Sequence, residues 1–383
     1  MNMGPKHIRY GMVGGGPGAF IGAVHRMAAR LEGRYELVAG AFSSDPERGQ
    51  TMGAELGLSP DRVYASYQEM ARLEGARADG IEAVVIVTPN HLHYPVATAF
   101  LQAGMHVICD KPLTTTLADA LALRDLVKAT GRLFFVTYTY GTYPMVAQAR
   151  EMVRSGQLGA VRVVQVEYAQ GWLSTALEAS GSRQASWRTD PALAGDGGCL
   201  GDIGTHAYHL AEFTTGLRTE SVAAELTRFV PQRRLDDNVQ VMLRFEGGAR
   251  GALWASQVAV GEDNALRIRV YGDLGAVSWD QEHPEELRFA PLGAPPQTLR
   301  RGGPGVGPWA VGVTRLPSGH PEGMLESFGL LYSEVAEAIL AARDQRPQPR
   351  IRVATIDDGV AGMRFIDACV RSARQNAAWV SLD

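Results

Sequence analysis

The stretch Gly197–Leu210, GGCLGDIGTHAYHL, sets a carboxylate and two imidazoles behind a run of glycines: Asp202, His206 and His209. Residues so spaced share one face of a helix, and glycines let backbone come close to a ligand. An imidazole one helical turn from a carboxylate suits proton transfer, because its ordinary pKa lies near neutrality and the carboxylate can orient it. The same trio also suits a metal, since both side-chain types are ligands. The spacing matches neither HExxH nor another metal motif of known mechanics, which favours proton transfer. A third reading needs no ligand: Asp202 caps a helix and the histidines fill a core.

Further segments carry candidates. After the apolar run IRYGMV comes GGGPGAFIG, with Gly14 and Gly16 in the first two places of a dinucleotide fingerprint and Ala19 in the third. Small residues there admit a pyrophosphate, and the helix that follows aims N–H groups and a positive dipole end at it. Pro17, Phe20 and Ile21 belong to the same turn and helix start, and Gly18 and Gly22 permit a second reading with a longer loop in which Gly22 packs against the sheet. At the end of the next apolar run, YELVAGAF, an NAD enzyme usually offers an acid to the ribose diol. This chain offers Ser43 and Ser44, with Asp45 just beyond and Arg48 further on. Asp45 would repel a 2′-phosphate, which tilts an open choice between NAD and NADP toward NAD.

Thr88, Pro89, Asn90 and His93 follow the run EAVVIV, at a strand end where open α/β sheets bind ligands. A turn at Pro89 with Asn90 capping the next helix accounts for the same residues. Asp110 and Lys111 follow HVIC. A lysine there can polarise an alkoxide, its own pKa lowered by burial beside the positive nicotinamide. In SWRTDP, Trp187 offers a face on which a sugar ring can stack and Arg188 a fork for hydroxyls or an anion; a core Trp beside a surface Arg is the plainer alternative.

These residues need elements to hold them. From Ile8 to about Thr137, IRYGMV, YELVAGAF, EAVVIVTP, HVIC and LFFVTY alternate with helix-like segments, the mark of a parallel sheet covered on both faces. Beyond the helix-like PMVAQAREMVRSG, the runs VRVVQVEYAQ, SVAAELTRFV, NVQVMLRFE, RGALWASQVAV and LRIRVYG follow one another with turn signals between them. The fold expected is α/β: a doubly wound parallel sheet over residues 1–135, then an α+β domain with a large, mostly antiparallel open sheet over residues 136–383. Pro291–Gly323 is rich in Gly and Pro and reads as a long loop before helical periodicity returns near Leu325.

Composition narrows the class. The chain has 383 residues, 45% hydrophobic, with room for two domains. A formal net charge of −4, with no basic cluster among aromatics, argues against nucleic acid. Cys109, Cys199 and Cys369 are scattered, which favours neither disulfides nor a zinc knuckle and fits a reducing cytoplasm. No stretch reaches the roughly 18 apolar residues of a membrane span, and the N-terminus lacks a signal-peptide core.

Taken together, VTPNHLHYPVATAFLQAGMHVICDKPL and GGCLGDIGTHAYHL resemble two blocks of the glucose-fructose oxidoreductase, inositol dehydrogenase and rhizopine-catabolism (Gfo/Idh/MocA) family. Glycine loop, TPNxxH, DKP and DxGxH occur in the family's order from about residue 8 to 212. The resemblance implies a Rossmann domain, an α/β domain whose open sheet often mediates oligomers, here a homodimer or homotetramer, and an active site in the cleft between them. It implies that Lys111 lies near the nicotinamide ribose and the substrate hydroxyl, that Asp202 and His206 face the substrate, and that no metal is involved. This chain departs from the family in three places: Asp110 replaces the commoner Glu, His209 stands where an acid is common, and Gly141 stands where many members carry arginine. Tyr140, beside it, is a candidate for substrate binding.

Two activities share these residues. One is an NAD(P)-dependent dehydrogenase or reductase acting on a secondary hydroxyl of a sugar, glycoside or cyclitol, with His206 as base. The other is a glycosidase that oxidises, eliminates and re-reduces, leaving no net NADH. The Gly/Pro-rich segment reads either as a lid over the cleft or as a solvated excursion; the part around SGHPEG is expected to border the substrate, with His320 as a contact.

Overall fold

The computed structural model describes residues 7–382. Two compact units emerge. One comprises the chain up to Thr114 with Ala118–Thr139 and Met324–Val360, the other Thr115–Leu117, Tyr140–Gly323 and the chain from Ala361 onward.

In the first unit, β1 (Ile8–Gly14), α1 (Phe20–Leu31), β2 (Tyr35–Ala41), α2 (Pro46–Glu55), α3 (Tyr67–Ala76), β3 (Ala83–Val87), α4 (His93–Gln102), β4 (His106–Cys109), α5 (Leu117–Thr130) and β5 (Phe134–Val136) alternate along the chain. The five strands are parallel in the order β2-β1-β3-β4-β5. All five residues of β3 are buried, as a strand covered on both faces requires. Strand order reverses between β1 and β3, and the carboxyl ends at such a switch point are where open α/β sheets bind ligands.

The second unit starts with α6 (Pro144–Arg154), β6 (Val161–Ala169), α7 (Arg183–Arg188), α8 (Pro191–Ala194), a π-helical turn (Leu200–Gly204) and α9 (Thr205–Thr215). It continues with β7 (Thr219–Thr227), β8 (Asn238–Phe245), β9 (Arg250–Ser256), β10 (Ala265–Gly272), β11 (Gly275–Asp280), β12 (Glu286–Pro291), β13 (Gln297–Arg300) and α10 (Pro308–Val311). After α11 (Met324–Arg343), which belongs to the first unit, α12 (Ile356–Arg374) leads back to β14 (Val380–Ser381). Nine strands lie in the order β13-β12-β11-β10-β6-β9-β8-β7-β14, with β6 and β9 parallel and all other neighbours antiparallel. Alternation does the sorting: Val164, Val166 and Tyr168 of β6 are buried beneath α9, while Val163 and Gln165 face outward.

Two sequence expectations are corrected here. The division at residue 135 places 324–360 in the second domain, whereas α11 returns to the first. Its Phe328, Leu331, Tyr332 and Val335 share a core with Val24 and Ala28 of α1 and with Tyr10 and Met12 of β1. The Pro291–Gly323 segment is no featureless loop, since it contains β13 and α10. It is organised around Arg301, 1% exposed, whose guanidinium donates to Glu285 at 2.7 and 2.8 Å, to Glu322 at 3.2 Å and to the carbonyls of Leu316 and His320. The inner part is tied to α6: the Gly307 N–H donates to Gln148 at 2.6 Å, and Arg154 lies over the Trp309 ring.

Candidate active site

At the switch point of the first unit, the glycine loop leaves β1 with Gly14, Gly15 and Gly18 all at positive φ. A Cβ at Gly16 would come within 2.6 Å of the Phe42 carbonyl oxygen, so only glycine lets the loop pass. A Cβ at Gly22 would stand 2.5 Å from the Gly15 Cα, so Gly22 is a close-packing residue, its contact being with the residue just past β1. Ala19 instead occupies the N-cap position of α1, whose first turn, with Phe20 and Ile21, holds no acid. Arg26 fastens the loop by donating to the Gly15 carbonyl at 3.0 Å. The N–H groups of an acid-free helix start, behind a loop whose close turns require glycine, suit a dinucleotide pyrophosphate.

Beyond β2, Ser43 is half-buried, and Ser44 and Arg48 are exposed. The Asp45 carboxylate accepts from the Glu47 and Arg48 N–H groups at 3.0 and 3.3 Å, capping α2. Past β3, Thr88 and Pro89 are half-buried and Asn90 is buried, at the start of the short turn Asn90–Leu92 that leads into α4. His93 is fully buried; its ring nitrogens lie 2.8 Å from the Pro112 carbonyl and 3.0 Å from that of Thr88. It therefore links the end of β3 to the segment containing Lys111.

Asp110, just past β4, is met by His25 Nε2 at 3.2 Å and by the Thr137 hydroxyl at 2.5 Å. Burial by itself would raise this carboxyl, but the charge and hydrogen bond of His25, with the bond from Thr137, hold it down at about 2. His25 Nδ1 lies 2.7 Å from the Tyr332 hydroxyl on α11. The aspartate that replaces the family's glutamate is thus firmly paired beside Lys111. Nothing in the local sequence marks His25 or Tyr332 for this role.

In the second unit, Gly198, four residues before Asp202, is packed against the chain itself. A Cβ at Gly198 would strike the Asp236 carbonyl oxygen at 2.4 Å, so this glycine makes room for the chain, whereas a Cβ at Gly201 would meet nothing within 4 Å. The Asp236 carboxylate accepts from the Gly198 and Leu200 N–H groups at 2.7 and 2.8 Å. Burial pushes its pKa up to about 6 against those two bonds. Asp202 then lies in the π turn, and its Oδ2 accepts from Gln257 at 2.8 Å and from Arg188 Nε at 3.1 Å. Its carboxylate is engaged across the unit rather than in a helix cap.

Arg188 also donates to Gln184 and lies over the Trp187 ring at 4.2 Å, so its fork is largely committed within the protein. His206, in the first turn of α9, is 8% exposed, and the Tyr140 ring meets it edge-on with centroids 4.9 Å apart. Tyr168 lies on another side at 6.2 Å. His209 is also buried but stacks on Phe213, away from any ligand set. Among the described residues, no group of three His, Cys, Asp or Glu side chains could hold a metal ion. His320 is exposed, and its carbonyl oxygen accepts from Arg301. The three cysteines are buried and free, and burial raises their thiols well above the ordinary value.

Residues 8–138 match the model of the oxidoreductase family with an NAD-binding Rossmann fold, and residues 146–278 match the GFO/IDH/MocA C-terminal domain. "Uncharacterized oxidoreductase YfiI" of Bacillus subtilis is 37% identical over 98% of this chain and 97% of its own. Levoglucosan dehydrogenase of Pseudarthrobacter phenanthrenivorans is 30% identical over 74% of this chain and 76% of its own. An inositol dehydrogenase homolog of Azotobacter vinelandii, solved with NAD+, is 38% identical over 98% of this chain and 97% of its own, with a TM-score of 0.94; its complex with NADH and myo-inositol has a TM-score of 0.90. Fold, glycine loop, paired aspartate and aspartate–histidine block converge with these matches: the chain belongs to the Gfo/Idh/MocA oxidoreductases and carries their NAD-binding Rossmann domain.

Proposed function

We propose that the chain oxidises a secondary hydroxyl of a cyclitol or sugar, with NAD as partner in hydride transfer. The observation that carries this reading is the setting of His206: a buried imidazole fixed between two tyrosines, in the turn after an aspartate held by Arg188 and Gln257. When bound, the nicotinamide supplies the acceptor for hydride. The protein's own side chains do the rest. His206 removes the hydroxyl proton as the C–H bond breaks, which a base near neutrality does best. Asp202 is oriented by its two donors, and Lys111 favours the negative charge that develops on the oxygen. The pairing of Asp110 with His25 and Thr137 steadies the backbone from which Lys111 projects. Asp45, close past β2, disfavours a 2′-phosphate, which supports NAD over NADP. The outward face of the nine-stranded sheet, with Met242 54% exposed and Tyr271 40% exposed, supports self-association there.

The relatives point first to cyclitols and sugars as substrates. Incubation with NAD or NADP and a panel of cyclitols, sugars and aryl glycosides tests the reading. NADH accumulating in proportion to turnover is the expected result. Release of an aglycone without NADH would overturn it in favour of redox-neutral glycoside cleavage.

A further inference from the structure

Beside His206 runs a chain of hydrogen bonds, and one of its members can only donate. The Trp172 indole N–H offers no lone pair, so Gln170 Oε1, 2.9 Å away, must accept from it. The Gln170 NH2 then donates to Asn264 Oδ1 at 2.7 Å. That fixes the Asn264 amide, whose NH2 faces Gln281 Oε1 at 3.1 Å and whose Oδ1 accepts from the Tyr168 hydroxyl at 2.8 Å. Tyr168 has a single proton, and it is spent on Asn264. The 2.5 Å contact between the Tyr168 and Tyr140 hydroxyls, in which geometry alone lets either atom donate, is then filled by the proton of Tyr140, and Asn264 lies within hydrogen-bonding reach of Tyr140 as well. Burial raises both phenols above their ordinary value, so each keeps its one proton at neutral pH.

Tyr168 is 3% exposed, whereas Tyr140 is half-buried with its ring edge-on to His206. We infer that Tyr140 acts toward substrate as a hydrogen-bond acceptor alone, and that it selects substrates bearing a free, proton-donating hydroxyl next to the one His206 deprotonates. The inference rests on the dehydrogenase reading above and adds to it a residue that determines specificity. A neutral tyrosine ordinarily offers both a donor and an acceptor, and here the donor has been withdrawn by a tryptophan four hydrogen bonds away. A hydroxyl replaced by hydrogen, or by fluorine, which accepts but cannot donate, leaves the Tyr140 lone pair unmet.

The test uses the full chain with NAD and two parent probes, myo-inositol and levoglucosan, each with its singly deoxygenated and singly deoxyfluorinated analogues. At one position adjoining the oxidised carbon, both analogues are expected to lose about tenfold or more in kcat/KM relative to the parent. Tyr140→Phe is expected to lower kcat/KM for the parent by a similar factor while leaving those two analogues unchanged. Tyr168→Phe releases the Tyr140 proton, so the fluorinated analogue is expected to recover severalfold over the deoxygenated one. If Tyr168→Phe does not fold, the Tyr140→Phe comparison decides alone. A fluorinated analogue that matches the parent in the wild-type enzyme would show Tyr140 donating and overturn the inference. So would an equal loss on parent and analogues in Tyr140→Phe, which marks a residue that merely packs against His206. Wild-type protein that reduces no NAD with any cyclitol or sugar of the panel above would overturn the dehydrogenase reading, and this inference with it.

Discussion

His209 and Gly141 account for one another. A Cβ at Gly141 would lie 3.3 Å from His209 Cε1 and 3.5 Å from the Phe213 ring, so the space that an arginine side chain needs is taken by the histidine that stands where relatives of this kind often have an acid. Gly141→Arg is expected to cost about 1–3 kcal/mol of stability by overpacking, and less in a His209→Ala background, as thermal denaturation of the four proteins would show. For the base, His206→Ala is expected to lower turnover by about two to four orders of magnitude with NAD affinity unchanged; steady-state rates and a fluorescence titration of NAD check both halves. The glycine loop, and Asp202, His206 and Lys111 as candidates, can be picked from the sequence because the chemistry proposed for them is local and their spacing fixed. Gln257, Asn264, His25 and Asp236 cannot, because each reaches its partner from far along the chain and no pattern around it sets it apart.

The strands of the first sheet and β6 to β10 are readable because apolar runs and alternation continue long enough to show a period. β13 and β14 have four residues and two, too few for any period, and they exist because neighbours pair with them. The Gly/Pro-rich segment misled for a related reason: its order comes from Arg301, an ordinary exposed residue by composition. Arg301→Met leaves Glu285 and Glu322 without their cation and is expected to destabilise by about 3 kcal/mol in urea unfolding. Asp236 predicts a pH signature for the turn that holds Asp202. Its pKa is about 6 in the fold against an ordinary 3.8, so the folded state holds the proton more tightly. Its contribution to stability is full below pH ~4 and is lost as pH rises through ~6. Unfolding free energies are expected to show wild type losing up to about 3 kcal/mol relative to Asp236→Asn across that interval.

At the scale of the whole molecule, a sheet that is apolar beneath α9 and carries Val163, Met242 and Tyr271 on its other side is expected to associate with a second copy. Met242→Glu should then lower the mass seen by light scattering, without loss of secondary structure. No helix among the described residues is long and apolar enough to cross a membrane. The return of α11 to the first unit bears on how the protein is made. A ribosome emits residues in order, and β1 to β5 are complete by residue 136, yet the core they need includes Phe328, Leu331, Tyr332 and Val335. Nearly two hundred residues of another unit must be synthesised before that core can close, and before Tyr332 can meet the histidine that pairs with Asp110. The nucleotide-binding half, first to be translated, is therefore expected to finish folding late, with its apolar surface in the care of a chaperone or of the nascent second unit until then.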